Sequence, residues 1–178
     1  MSDLQTYIGT KVIKATPMTR GEYNDYRGWK LPDDEDGSDK GYLVEYLNGD
    51  TSNHPNHKGY ISWSPEKTFE ESYQTTDRMN FGHALEMLKQ GKAVSRRGWN
   101  GKGMFLYLVP ANAYPVQTQI AAKYFGVGSM VPYGAYIAMK TAEGNVVPWL
   151  CSQTDALSDD WGVVEPQDHI EAPTKKFK

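Results

Sequence analysis

The sequence predicts an α+β protein in two parts: a small β-rich module with one helix, then a domain in which an antiparallel sheet packs on one amphipathic helix. Three observations carry this. Short alternating apolar runs recur at strand length along the chain. One segment places Phe81, Ala84, Leu85 and Leu88 at i, i+3, i+4 and i+7, a single apolar helix face. A polar joint at 74–78 (QTTDR) separates two differently charged halves. Residues 1–78 hold 9 Lys/Arg and 14 Asp/Glu, a balance of −5, whereas residues 79–178 hold 10 and 8, a balance of +2. The expected boundaries are 1–75 for the accessory module, 79–165 for the second domain and 166–178 for a loose polar tail.

In the first part, 11–15 (KVIKA) alternates and reads as a strand, and 18–40 reads as a long irregular stretch ending in the acidic run 33–39. Residues 41–47 (GYLVEYL) and 59–63 (GYISW) are two further strands. Ser64 is an expected helix cap and Pro65 the first helical residue, opening a helix to about Tyr73. In the second part Asn80 caps the amphipathic helix and Gly91 stops it. Strands are expected at 93–96, 104–109, 136–140, 146–150 and 161–164, with 141–145 (TAEGN) as a hairpin loop. Between Pro110 and Pro132 the pattern is weak, and a loop with a short helix at 117–125 is expected.

Composition narrows the function classes. With 39% apolar and 23% charged residues the chain is expected to fold rather than remain disordered. No run approaches the ~20 apolar residues of a membrane span. The opening MSDLQTYIGTK has no basic region followed by an apolar run, so no secretory signal is expected. A lone cysteine, Cys151, cannot form an internal disulfide, which favours a reducing cytoplasmic setting. The mildly basic second half suits a small anion. It is too weakly charged for a DNA or RNA polymer.

The segment richest in chemistry is Arg96-Arg97-Gly98-Trp99-Asn100-Gly101-Lys102-Gly103, between two expected strands. Its glycines let backbone N–H groups approach a ligand. Arg96, Arg97 and Lys102 can meet phosphate. Trp99 can stack on a base, and Asn100 can pair with a base or ribose edge. The same residues also describe a tight hairpin whose tryptophan closes the core, and they do not form a phosphate-binding P-loop. A second cluster runs from Trp149 to Asp155 and ends near Asp160 and Trp161. Ser152 or Thr154 can cap a short helix there, or Gln153, Thr154 and Asp155 can bond ribose hydroxyls beside Trp99.

The runs MNFGHALEMLKQGKAVSRRGWNGKGMFLYLVP and YGAYIAMKTAEGNVVPWLCSQTDALSDDWGVV, spanning 79–164, resemble the Thoeris anti-defence protein two family of phages. That resemblance implies a non-catalytic sponge that sequesters a cyclised ADP-ribose immune signal, and in some members cyclic dinucleotides at a separate place. It also implies a homotetramer with pockets between subunits, acting in the host cytoplasm without a cofactor. It makes Trp99 the foremost ligand contact, with Asn100, Gln153, Thr154 and Asp155 carried over beside it. Residues 112–131 are where the chain departs from shorter members. The first part resembles a small module that recurs in phage proteins.

Other constellations point away from chemistry. The acidic run 33–37 fails the calcium-loop frame, which puts Pro32 at the first ligand position. His54 and His57 lack further metal ligands and read as a surface turn. His83 lies off the apolar stripe of its helix, and Cys151 has no histidine near it in sequence. Two alternatives to signal capture remain, an enzyme that degrades a nucleotide signal and a phage structural or interaction module.

Overall fold

A computed structural model of the chain describes residues 4–48, 51–99 and 103–166. Two units divide between Gln74 and Thr75.

In the first unit, β1 (Ile13–Pro17), β2 (Gly41–Tyr46) and β3 (Tyr60–Pro65) form an antiparallel sheet in the order β1-β2-β3. Leu43 lies opposite Trp63 and Glu45 opposite Ile61, so these four side chains share one face. Helix α1 (Arg20–Arg27) packs there, with Tyr23, Leu43 and Ile61 as the core and Met18, Tyr26 and Trp63 around them. This helix corrects the expectation of an irregular stretch. Its signal is Thr19-Arg20-Gly21-Glu22, a reciprocal capping box in which Thr19 N donates to Glu22 Oε2 at 2.7 Å and Glu22 N to Thr19 Oγ1 at 3.3 Å. Gly28, at φ 68°, ends the helix in the left-handed conformation.

Part of the acidic run folds around Arg20. Nη1 meets Glu35 at 3.0 Å, Nε meets Asp39 at 3.1 Å, and the guanidinium lies 4.4 Å from the Trp63 ring. Helix α2 (Glu66–Ser72) begins one residue later than expected. Pro65 takes the cap position without a side-chain bond, and Ser64 stays in β3 opposite Tyr42. Among its described residues the module therefore has two helices rather than one; Phe69 of α2 stacks on Tyr42 at 4.0 Å.

The two histidines of this unit stand on the expected turn, closed by His57 N on His54 O at 3.1 Å, but their side chains are half-buried rather than free at the surface. His57 Nδ1 lies 3.3 Å from Glu45 Oε2, and its Nε2 lies 2.9 Å from the Tyr26 hydroxyl. His54 stacks on Tyr26 at 4.5 Å. Glu45 Oε1 also accepts the N–H groups of Lys58 and Gly59. Those bonds, with the His57 contact, hold its carboxyl below the usual range against a smaller upward push from burial. This line of groups pins the loop before β3 to β2 and α1.

The second unit has a five-stranded antiparallel sheet, order β10-β4-β5-β8-β9. Its strands are β4 (Ala93–Arg96), β5 (Phe105–Val109), β8 (Tyr136–Lys140), β9 (Val146–Pro148) and β10 (Trp161–Val164). Helix α3 (Phe81–Lys89) follows the expected pattern. Asn80 Oδ1 accepts His83 N at 2.9 Å. At the other end Lys92 N bonds Met87 O and Gly91 N bonds Leu88 O, a Schellman ending that Gly91 permits at φ 79°. Val94 pairs with Leu106, and Leu106 with Met139. That face meets Met79, Ala84, Met87, Leu88 and Trp161 in one core. On the other face Phe105, Tyr107, Lys140, Val146 and Val164 help line a depression of about 400 Å³.

Between β5 and β8 the chain forms β6 (Asn112–Pro115), α4 (Gln119–Phe125) and β7 (Met130–Tyr133). Among the described residues the two strands pair only with each other, and neither was expected. The five-residue turn after β8 is the expected hairpin, closed by Thr141 N on Asn145 O at 2.8 Å with Gly144 at φ 88°. Strand β9 stops at Pro148, short of the expected Leu150. Among the described residues no helix is long and apolar enough to cross a membrane.

Trp161 is fully buried, and truncating a core aromatic costs about 3–5 kcal/mol. Trp161→Ala is expected to lower the melting temperature of the second unit strongly in calorimetry.

Candidate functional site

The site grows from the short crossing between β4 and β5. After Arg96 the chain makes one 3-10 turn, Arg97–Trp99, and reaches Gly103 at φ 63°. Asn100 and Lys102, expected at the ligand, lie outside the described residues.

Antiparallel pairing puts Arg96 opposite Trp161. The Arg96 side chain therefore points to the core face rather than outward, 5.9 Å from the Trp161 ring. Two carboxylates meet it. Nε donates to Asp160 Oδ1 at 2.7 Å and Nη1 to Asp155 Oδ1 at 2.7 Å. The Arg96 and Asp155 side chains are only 12% and 13% exposed, so these bonds are poorly screened.

The same carboxylates hold the turn. Asp160 Oδ2 accepts Gly98 N at 2.8 Å, and Asp155 Oδ1 accepts Trp99 Nε1 at 3.2 Å. Asp155 stands in α5 (Gln153–Ala156), the short helix expected here, which Ser152 caps by accepting Asp155 N at 3.0 Å. The Ser152 hydroxyl also donates to Asp155 Oδ2 at 2.6 Å.

These contacts set the charges. The bond to Asp160 and that to Asp155 raise Arg96 further above its ordinary value, although burial opposes them. Arg96 and Gly98 hold the Asp160 carboxyl below its usual range. Burial pushes Asp155 up, but bonds from Ser152, Arg96 and Trp99 outweigh it and the net direction is down. Burial, helped by Asp155, pushes the Cys151 thiol up, which keeps it protonated and a poor nucleophile.

Trp99 is half-buried. Its ring meets Trp161 edge-to-face at 5.3 Å and Trp149 at 6.4 Å. The expectation that this tryptophan helps close the core is met, since it packs against the apolar cluster and keeps only part of its surface exposed. Arg97 points outward, 67% exposed, with a long contact of 3.3 Å to Asp77. Gln153 and Thr154 are exposed on the first turn of α5. The structure thus gathers Arg96, Trp99 and Asp155 into one bonded cluster; Thr154 touches it through its carbonyl, 3.5 Å from Arg96 Nη1, while the side chains of Arg97, Gln153 and Thr154 stay outside it.

Asp160, Trp149 and Trp161 belong to this cluster but stand outside the expected contacts. A local motif could not reveal Asp160, which lies 64 residues from Arg96 and reaches it only through the pairing of β10 with β4.

Both carboxyls titrate lower in the folded protein than in the unfolded chain. Their stabilisation is present above the unfolded value, about 4, and is lost as pH falls through the lower folded values. Thermal denaturation across pH 2–6 is expected to show the second unit weakening below about pH 4. In Asp160→Asn that acid-dependent loss is expected to shrink.

Comparison with known proteins bears on the same region. The family model described as the Thoeris anti-defense 2-like domain (Tad2-like) matches residues 79–164. The protein Thoeris anti-defense 2 of Bacillus phage SP01 is 44% identical over 91 residues, covering 96% of that protein and 49% of this chain. The matched residues hold α3, the five-stranded sheet, the Arg97–Trp99 turn and the α5 clip. Through this second unit, the chain belongs to the Thoeris anti-defense 2 family.

Proposed function

We propose that the second unit is a non-catalytic trap for a small cyclic nucleotide, a cyclised ADP-ribose signal, and that it protects a phage by sequestering that signal in the host cell. Family membership supports the anti-defence role. The observation that carries the ligand is the partly exposed indole of Trp99, whose Nε1 is held by Asp155 at the end of a short turn. A purine can stack on its open side, worth roughly 1–3 kcal/mol. Arg97 lies on the outer side of the turn, where a phosphate can be met in water. Gln153 and Thr154 and, from the sequence alone, Asn100 and Lys102 complete the proposed contact set.

Capture without chemistry works by mass action alone. Nanomolar binding needs about −12 kcal/mol, several times what one stack supplies. A pocket closed by a second subunit would add the desolvation that an open turn lacks. Exposed apolar residues support assembly. Ile120, Tyr124 and Phe125 of α4, with Val127, Met130 and Tyr133, leave much of their surface in solvent. A two-stranded hairpin and a seven-residue helix have little stability alone, and exposed apolar clusters mark contact surfaces. The proposed partner is another copy of the chain, in a homotetramer.

Adding cyclised ADP-ribose is expected to raise the melting temperature, and heating the complex is expected to return the ligand intact. Trp99→Ala is expected to fold and lose the shift. Recovery of hydrolysed ligand would make the protein an enzyme, and failure of every cyclic nucleotide tested would leave an interaction module. Light scattering is expected to give about four times the 20.0 kDa chain mass. Ile120→Asp with Tyr124→Asp is expected to reduce it; a wild-type monomer at micromolar concentration would remove the intersubunit pocket.

A further inference from the structure

We infer that Asp160 and Asp155, joined through Arg96, are positioning residues that set the plane of the Trp99 indole, and that Arg96 itself does not touch the ligand. This rests on the reading of residues 79–164 as a ligand-capturing unit.

The charge count around Arg96 is the starting point. One guanidinium faces two carboxylates, both at 2.7 Å. A phosphate approaching Arg96 would meet a local balance of −1 and would have to displace a half-buried carboxylate from a charge-assisted bond. That exchange gains little, because one strong ionic hydrogen bond replaces another and leaves a carboxylate unpaired.

The geometry gives the three groups a different task. Asp160 bridges two successive parts of the turn, with Oδ1 on Arg96 Nε and Oδ2 on Gly98 N. Its own carbonyl accepts Arg97 N at 3.2 Å. Asp155 bridges the next part, with Oδ1 shared between Arg96 Nη1 and Trp99 Nε1. Arg96, Arg97, Gly98 and Trp99 are therefore each tied to the segment 155–160. A Cβ at Gly98 would come to 3.1 Å from both Arg96 Nη2 and Asp160 Oδ2, so a side chain there would press on the two groups that form the clip.

A binding surface gains affinity when its aromatic plane is fixed before the ligand arrives, because the ordering entropy is already spent. The clip fixes the indole at its nitrogen edge, the core covers part of the ring, and what the core leaves uncovered is the surface open to a ligand. It also divides the labour between adjacent arginines: Arg96 orders the turn, and Arg97, facing solvent, is the anion contact. The ligand that fits this layout carries its base over Trp99 and its phosphates toward the outer rim of the turn.

The test is calorimetric titration of the full chain with cyclised ADP-ribose over a range of salt concentrations, with near-UV circular dichroism of the free protein. Asp160→Ala is expected to weaken binding at least tenfold and to alter the tryptophan bands before any ligand is added. Asp160→Asn keeps an oxygen for Gly98 N–H and is expected to recover part of both. Arg96→Lys is expected to weaken binding with the salt dependence of wild type, because no ionic contact to the ligand is lost. Arg97→Ala is expected to flatten that dependence.

Wild-type affinity and tryptophan bands in Asp160→Ala would overturn the inference, as would a flattened salt dependence in Arg96→Lys. If Asp160→Ala does not fold, Asp160→Asn and Arg96→Lys decide by the same two readouts. A wild-type protein that captures no nucleotide sinks the reading of the unit as a trap. The near-UV spectra of the variants would then still decide whether the clip orients Trp99.

Discussion

Trp161 is the point on which the second unit turns. Its backbone pairs with Met79 at the start of the unit, with Met79 N on Trp161 O at 2.7 Å and Trp161 N on Met79 O at 3.1 Å. Its ring packs against Phe81, Trp99 and Trp149, and its Nε1 donates to Asp155 O at 3.0 Å. A buried indole needs an acceptor for its N–H, and α5 supplies that acceptor. The helix that satisfies the core residue is therefore the one that holds Asp155 against Arg96. Core packing and site construction share the same few atoms.

That sharing gives the crossing between β4 and β5 the fixed shape that the proposed capture needs. A glycine-rich loop is entropically costly to order. Here the sheet fixes one end through Arg96 and Trp161, and two carboxylates reach into the turn from a segment far away in sequence. A paired charge in a half-buried place costs desolvation energy and yields little net stability, but it specifies one arrangement among many. The clip uses Arg96 for specification, and in the proposed trap the anion contact falls to Arg97, which faces solvent.

The first unit uses polar groups in a comparable way on a different scaffold. Arg20 gathers the acidic stretch through Glu35 and Asp39, while Glu45, His57 and Tyr26 secure the loop ahead of β3. Its apolar core is small, with Tyr23, Leu43 and Ile61 at the centre. Small domains bury a modest fraction of their surface, so bonded polar lines do much of the fixing of loops.

Much of the architecture could be read from the chain alone because its signals are local. Asn80, the spacing of Phe81, Ala84, Leu85 and Leu88, and Gly91 define α3 from start to stop. Alternation marks β2, β4, β8 and β10, and Ser152 announces α5. The capping box at Thr19 and Glu22 was equally local and shows that α1 was legible too, hidden by the charged run that follows it. Strands β6 and β7 carry no clear alternation, because their faces are mostly exposed and no core imposes a pattern. For the site, the residue types at Arg96, Arg97, Trp99 and Asp155 were visible, but their division into ordering and open groups was not. Strand register decides whether an arginine points inward or outward, and pairing over 64 residues decides which carboxylate meets it. The amino-acid order by itself determined the helices, most strands and the chemistry available at the turn. Only tertiary structure decided that Arg96 is spent on Asp155 and Asp160, because a salt bridge depends on distance in space, which sequence spacing does not encode.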